Sequence, residues 1–141
     1  MADEIALMFS ELEPQAMADA LADHPASVEV AVEHNFAPGL YGRKAILPRG
    51  TLAVGKKHKT THLSVLAKGS IIVRGVQGMP DHRMVAGDVM VTPAGSQRAV
   101  YAEQDSVFVC IHATDETDLD RLEDQLIERP ELGLEVQSWL G

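Results

Sequence analysis

Between Ser27 and Ile111 the hydrophobic residues recur at every second position or in short runs. The segments are Val28-Glu-Val-Ala-Val-Glu33, Lys44-Ala-Ile-Leu47, Thr51-Leu-Ala-Val54, Leu63-Ser-Val-Leu66, Ile71-Ile-Val73, Met84-Val85, Val89-Met-Val91, Ala99-Val-Tyr101 and Val107-Phe-Val-Cys-Ile111. Period two marks a strand with one face in a core, and short continuous runs mark buried strands. Gly or Pro falls in most of the gaps, as at Pro38-Gly39, Pro48-Arg-Gly50, Gly69, Gly75, Gly78-Met-Pro80, Gly87 and Pro93-Ala-Gly95. Many short strands at this spacing predict an all-β sandwich or barrel.

The flanks have a different period. Ile5, Met8, Phe9 and Leu12 share one helical face, and Pro14 suits the first turn of a second helix running through Leu21 to near His24-Pro25. Such an amphipathic arm docks on its own domain or on a partner's. After the last strand, Thr117 is the expected N-cap of a helix, with Asp118 and Asp120 favourable in its first turn. Leu119, Leu122, Leu126 and Ile127 form its apolar face, Pro130 follows its end, and a docking tail continues through Trp139. The expected organisation is a helical arm over 1–27, a β-barrel over 28–113, and an acidic helix and tail over 114–141.

Composition narrows the class. The 141 residues are enough for one domain, and aromatic residues make up only 4%, so the core must be mostly Val, Leu, Ile, Ala and Met. No apolar run approaches a membrane span, and Met-Ala-Asp-Glu lacks the basic start of a secretory signal. The single cysteine, Cys110, excludes an internal disulfide and fits a reducing compartment. These features predict a cytoplasmic protein with no membrane partner.

The net charge is −9, unevenly distributed. Residues 1–42 carry eight acids and no Lys or Arg, residues 43–98 carry ten Lys or Arg against two acids, and residues 99–141 carry eleven acids and two bases. Acidic ends can fold back over a basic middle, and a basic middle can also surround an anionic ligand. Nucleic acid is not an expected partner, because the flanking acids would repel its backbone.

The densest chemistry lies in Gly55-Lys-Lys-His-Lys-Thr-Thr-His62. On one straight strand, residues four apart sit about 13 Å from each other, too far to share an ion. A bend at Lys59-Thr60-Thr61 would instead bring His58 and His62 side by side at the ends of adjoining strands.

At this point the chain resembles the cupin superfamily. The second cupin motif, Gly-x5-Pro-x-Gly-x2-His, is matched by Gly87-Asp-Val-Met-Val-Thr-Pro93-Ala-Gly95-Ser-Gln-Arg98, with Arg98 in place of the histidine. Anchoring the first motif on Gly69 puts His62 at the family's glutamate, His58 at its second histidine and Lys56 at its first. The chain is also similar to small stand-alone cupins of bacterial and phage genomes. These share the His-x3-His motif, an arginine in the second motif, and a last strand leading to an acidic helix like that after His112. The resemblance implies a jelly-roll barrel.

Two chemistries are then open. His58 and His62 can ligate a divalent metal (Zn, Fe, Mn or Ni), with His112 as third ligand and Gln97 as a weaker candidate. Alternatively Lys56, His58, His62 and Arg98 form a pocket for a carboxylate or phosphate, with Tyr101 supplying a phenol. In that pocket nearby cations would keep the imidazoles neutral. Lys57 and Lys59 read as a solvated turn, Arg98 has the alternative of an ion pair with the terminal helix, and Cys110 reads as a small core residue. His24 and His34 fall in segments that read as surface, and His82 in a solvated turn. The expectation is a homo-oligomeric, cupin-like protein handling a small anionic metabolite. It would act as a metal-assisted isomerase, lyase or oxygenase, as a non-catalytic sequestering or sensing protein, or as an assembly protein with a vestigial pocket.

Overall fold

A computed structural model describes residues 2–22, 24, 27, 29–76 and 78–128. Val28, Pro130 and the tail through Trp139 lie outside them, as does the side chain of Ile5. In chain order the elements are α1 (Ala2–Glu11), α2 (Pro14–Ala22), β1 (Ala31–Ala37), β2 (Leu40–Leu47), β3 (Leu52–Val54), β4 (Lys57–His58), β5 (His62–Lys68), β6 (Ser70–Arg74), β7 (His82–Val85), β8 (Val89–Thr92), β9 (Ala99–Ala102), β10 (Ser106–Ala113), α3 (Leu119–Leu126) and β11 (Ile127–Glu128). Among the described residues no helix is long and apolar enough to cross a membrane.

The strands form a five-stranded sheet in the order β1-β2-β10-β5-β8, a four-stranded sheet β3-β9-β6-β7 and a small pair β11-β4, all antiparallel. This is the jelly-roll arrangement that the resemblance implied. Alternation does the sorting. Ala45, Leu47, Leu66 and Phe108 point inward from the first sheet, and Ala53, Ile71, Val73, Met84, Val100 and Ala102 from the second, into one core.

The other face of the second sheet is covered by the N-terminal helices. Met8, Phe9, Leu12, Met17, Ala18 and Leu21 pack on Leu52, Val54, Ala99 and Tyr101. The arm therefore docks on its own barrel. Met17 is fully buried there, which contributes about 1.5–3 kcal/mol. Arg74 fastens the arm by donating to the carbonyls of Phe9 and Leu12, the latter at 3.0 Å.

Gly69, in the turn from β5 to β6, has φ +90°, and a Cβ there would lie 2.2 Å from Ser106 Oγ and 2.5 Å from Asp105 O. Only glycine permits both the backbone angle and the close approach.

Three boundaries differ from the sequence reading. The first strand runs from Ala31 to Ala37, because its partner β2 extends back to Leu40 and supplies hydrogen bonds along its whole length. Asp118 is the N-cap of α3 in place of Thr117, since its carboxylate accepts from the amides of Asp120 at 3.0 Å and Arg121 at 3.2 Å. Ile127 leaves the helix to pair as a strand with His58, and Leu119 faces solvent.

A buried three-histidine cluster as candidate functional site

The inner face of the five-stranded sheet changes character along its strands. Register places Ala45 beside Phe108 and Leu66, then Arg43 beside Cys110 and Ser64, and then Tyr41 beside His112. Across β5 and β8, His62 pairs with Thr92. The barrel thus runs from an apolar end to a layer of cations and hydroxyls, and then to imidazoles at the mouth.

The chain bends at Lys59-Thr60 between β4 and β5, as the spacing of the two histidines required. His58 is held on one side by β11 and on the other by the loop of the second motif. Its N–H donates to Ser96 O at 2.9 Å, and its carbonyl accepts from Gly95 N–H at 2.8 Å. His62 begins β5 and His112 lies near the end of β10. Ring centroids are 4.4 Å apart for His58 and His62, 4.3 Å for His62 and His112, and 5.7 Å for His58 and His112. The three residues His58, His62 and His112 are 1%, 4% and 1% exposed.

The electrostatics keep two of these rings neutral. Burial, then the Arg98 guanidinium, pulls His62 down to about 4, against a weaker opposing hydrogen bond to Thr60 O. Burial, followed by His62, Arg98 and Arg43, pulls His112 down to about 3. Neither ring nitrogen of His112, nor Nε2 of His62, has a hydrogen-bond partner among the described residues. A buried polar atom left unpaired costs about 1–3 kcal/mol, so three on two adjacent rings indicate a site shaped for something else.

One nitrogen from each of the three rings lies within 4.8 Å of the others. Ligands about 2.1 Å from a common ion sit roughly 3.0–3.5 Å apart, a spacing compatible with that limit. Neutral imidazole is also the ligating form. The residues fit a divalent transition metal.

The remaining candidate residues occupy other places. Arg98 is buried beneath the cluster, donating to Ser64 Oγ at 2.6 Å, Thr92 Oγ1 at 3.2 Å and Cys110 Sγ at 3.3 Å, with its guanidinium 5.1 Å from the Phe108 ring. The ion pair with the terminal helix belongs to Lys56, which binds Glu123 of α3. Lys59, read as part of a solvated turn, donates through Nζ to Asp124 O at 2.6 Å. Gln97 bonds Gln15 Oε1 at 2.9 Å and Gly55 O at 3.2 Å, tying its loop to α2 and away from the histidines. Tyr101 faces outward under α1, 5.9 Å from the Phe9 ring, so it supplies no phenol to the mouth. Each departure has one cause: neighbouring elements claim these side chains first.

Sequence reading missed Tyr41, His34 and Arg43. Tyr41 stacks on His112 at 5.9 Å and shares a 2.6 Å hydrogen bond with His34 Nδ1, while burial pushes its phenol up to about 12. Arg43 is 4% exposed, and burial draws its guanidinium down to about 10, so it remains charged near neutral pH. The available signal was the alternation of Ala45 and Leu47, which continues inward to residues 43 and 41. Above Tyr41, α3 roofs a cavity of about 240 Å³ lined by His34, Lys56, Leu122 and Glu123 among others.

Comparison with solved structures places the fold. The chain superposes on a cupin-2 domain protein of Shewanella frigidimarina with TM-score 0.50 at 10% identity, over 76% of this chain and 99% of that one. It also matches KdgF of a Halomonas species, with TM-score 0.53 and 17% identity over 67% of this chain and 86% of that one. The DMSP lyase DddQ of Ruegeria pomeroyi matches with TM-score 0.56 and 17% identity, over 77% of this chain and 57% of that one. No protein-family model and no curated protein matches the sequence. At these identities the likeness is one of fold. The chain has the cupin fold.

Proposed function

We propose that His58, His62 and His112 hold a divalent transition metal at the barrel mouth, and that the protein binds a small anionic metabolite there. The observation that carries this reading is the set of buried ring nitrogens on His62 and His112 that have no hydrogen-bond partner among the described residues. A bound ion would satisfy them and explain why three imidazoles share one buried place. Three imidazoles suit Zn, Fe or Ni by ligand type, with Mn a weaker fit.

The buried guanidiniums of Arg98 and Arg43 oppose the charge of a cation. The same field favours a ligand that brings negative charge to the mouth, and this supports an anionic partner. A metal of this kind supplies Lewis-acid polarisation or an activated water, the chemistry of an isomerase, lyase or oxygenase. In this reading Arg98 provides the positive field from behind, and the Tyr41–His34 pair borders the approach through the cavity under α3. A DMSP lyase has a similar fold, which is compatible with a catalytic reading without identifying this one.

Elemental analysis of protein purified without a nickel column tests the reading. The expected result is close to one transition metal per chain, lost in His58→Ala, His62→Ala and His112→Ala alike. Folded protein that takes up no Zn, Fe, Mn or Ni on dialysis would sink it. Ligand-induced thermal stabilisation by carboxylate or phosphate metabolites then separates an anion site from a vestigial pocket.

A further inference from the structure

His82, which the sequence places in a solvated turn, begins β7 and is only partly exposed. β7 is the edge strand of the four-stranded sheet and β8 the edge strand of the five-stranded one. Alternation turns His82 and Met84 of β7 and Met90 of β8 inward, while Arg83, Val85, Val89 and Val91 face outward. The His82 ring crosses the seam between the two sheets, and its Nε2 lies 3.4 Å from Met90 Sδ.

The other ring nitrogen decides what that contact can be. Nδ1 lies 3.1 Å from the carbonyl oxygen of Pro80, and a carbonyl only accepts, so the ring proton belongs on Nδ1. In this neutral tautomer Nε2 presents a lone pair to a thioether sulfur, which carries no proton. Two electron-pair donors thus face each other across the seam. Moving the proton to Nε2 only transfers the conflict to the Pro80 carbonyl. A cation between nitrogen and sulfur satisfies both.

We propose that His82 and Met90 form a metal site for a soft monovalent ion, Cu(I), separate from the three-histidine cluster. Metal bonds of about 2.0 Å to nitrogen and about 2.3 Å to sulfur, meeting near the tetrahedral angle, place the two donors about 3.5 Å apart. The observed 3.4 Å matches that spacing. Thioether sulfur selects Cu(I), and imidazole suits copper as well. The surrounding charge agrees with an ion of low charge. Asp81 is paired with Arg74 at 3.3 Å and Arg83 with Glu103 at 2.7 Å, and neither donor brings a negative charge. Met84 packs in the same cluster as Met90 and is the candidate third donor. The three-histidine cluster shares none of these residues, and its nitrogen donors suit divalent ions.

Protein isotope-labelled at its methionine methyl groups, titrated anaerobically with Cu(I) and followed by NMR, tests this. Of the six methionines, Met90 should shift at saturating Cu(I), and excess Zn(II) should not restore it. Competition with a chromophoric Cu(I) chelator should show binding weakened by about tenfold or more in Met90→Leu and in His82→Phe. Both side chains are partly exposed, so these variants should keep the parent circular dichroism. The Met90 shift should persist in His112→Ala, which impairs only the histidine cluster. A Met90 methyl that Cu(I) leaves unmoved, or parent-like affinity in either seam variant, would overturn the proposal and give the ion to Cys110 or to the histidines. Loss of the Met90 shift in folded His112→Ala, or its reversal by Zn(II), would overturn it too.

Discussion

His58 lies directly opposite Ile127 in the β4–β11 pair, so the strand bearing one imidazole is completed by the segment that follows the acidic helix. The amide of Lys59 donates to Leu126 O at 2.7 Å, Lys56 pairs with Glu123, and Tyr41 joins Leu122, Leu126 and Ile127 in one apolar cluster. The roof and the histidine site are therefore one mechanical unit. The three histidines are buried beneath a short helix attached by an apolar cluster as well as by polar contacts.

Glu123→Gln should loosen that roof. Lys56 is mostly buried and Glu123 partly so, which sets the loss between the surface and buried limits, at about 1–3 kcal/mol in urea unfolding. Hydrogen exchange at the Lys59 amide should quicken more than exchange in β2 or β10. Equal exchange in parent and variant would mean that the ion pair does not hold the roof.

The metal-free protein should lose stability in acid. Unfolded histidine titrates near 6.5, whereas folded His62 and His112 titrate at about 4 and about 3. Between those limits the unfolded chain binds protons that the folded chain refuses, so the folded state is penalised. Stability is at its full value above pH 6.5 and falls as pH drops from 6.5 toward 4 for His62 and toward 3 for His112, by on the order of 1 kcal/mol per pH unit for each ring. Urea midpoints across this range measure it. A flat profile would show that the rings protonate freely.

Arg98→Met should move those titrations. The guanidinium is the second cause of depression at His62 and the third at His112, after burial. Ser64 and Thr92 still bond each other at 2.8 Å without it, so the fold should survive, with a stability change within about 1–4 kcal/mol of either sign. In an NMR titration of the metal-free variant both imidazoles should shift toward 6.5, His62 the more. Unmoved titrations would mean that the guanidinium field does not reach the rings.

Gly69→Ala should cost more than about 2 kcal/mol, because the added methyl meets the Asp105 carbonyl as well as a serine hydroxyl at a backbone angle that suits glycine. Thermal unfolding gives the value. A loss below about 1 kcal/mol would contradict the tight contact between this turn and the start of β10.

Much of the fold was legible because strand alternation and turn glycines are local. Leu63-Ser-Val-Leu66 and Val107-Phe-Val-Cys-Ile111 declare their faces wherever they sit. The bend between His58 and His62 followed from the reach of a strand and the β-like flanks. The position of Lys56 was not legible, since its partner Glu123 is sixty-seven residues away. Tyr101 and Gln97 were misplaced for a related reason: the helices that claim them come from the other end of the chain. Ile127 reads as helical by period, and only the open edge of β4 draws it into a strand.

By itself the sequence determined an all-β sandwich or barrel with helices at both ends, which the cupin resemblance narrowed to a jelly roll with His112 near its mouth, and it marked His58 and His62 as groups with chemistry to offer. Those features rest on side-chain period, chain reach and residue type, which act over a few neighbours. Tertiary structure decided that the three rings meet, that Arg98 and Arg43 lie beneath them, and that α3 closes over them. Such placements depend on strand order and register, which bring together residues with no local knowledge of each other. The low basicity of His62 and His112 belongs to the same class, because it comes from burial and from a charge delivered by another strand.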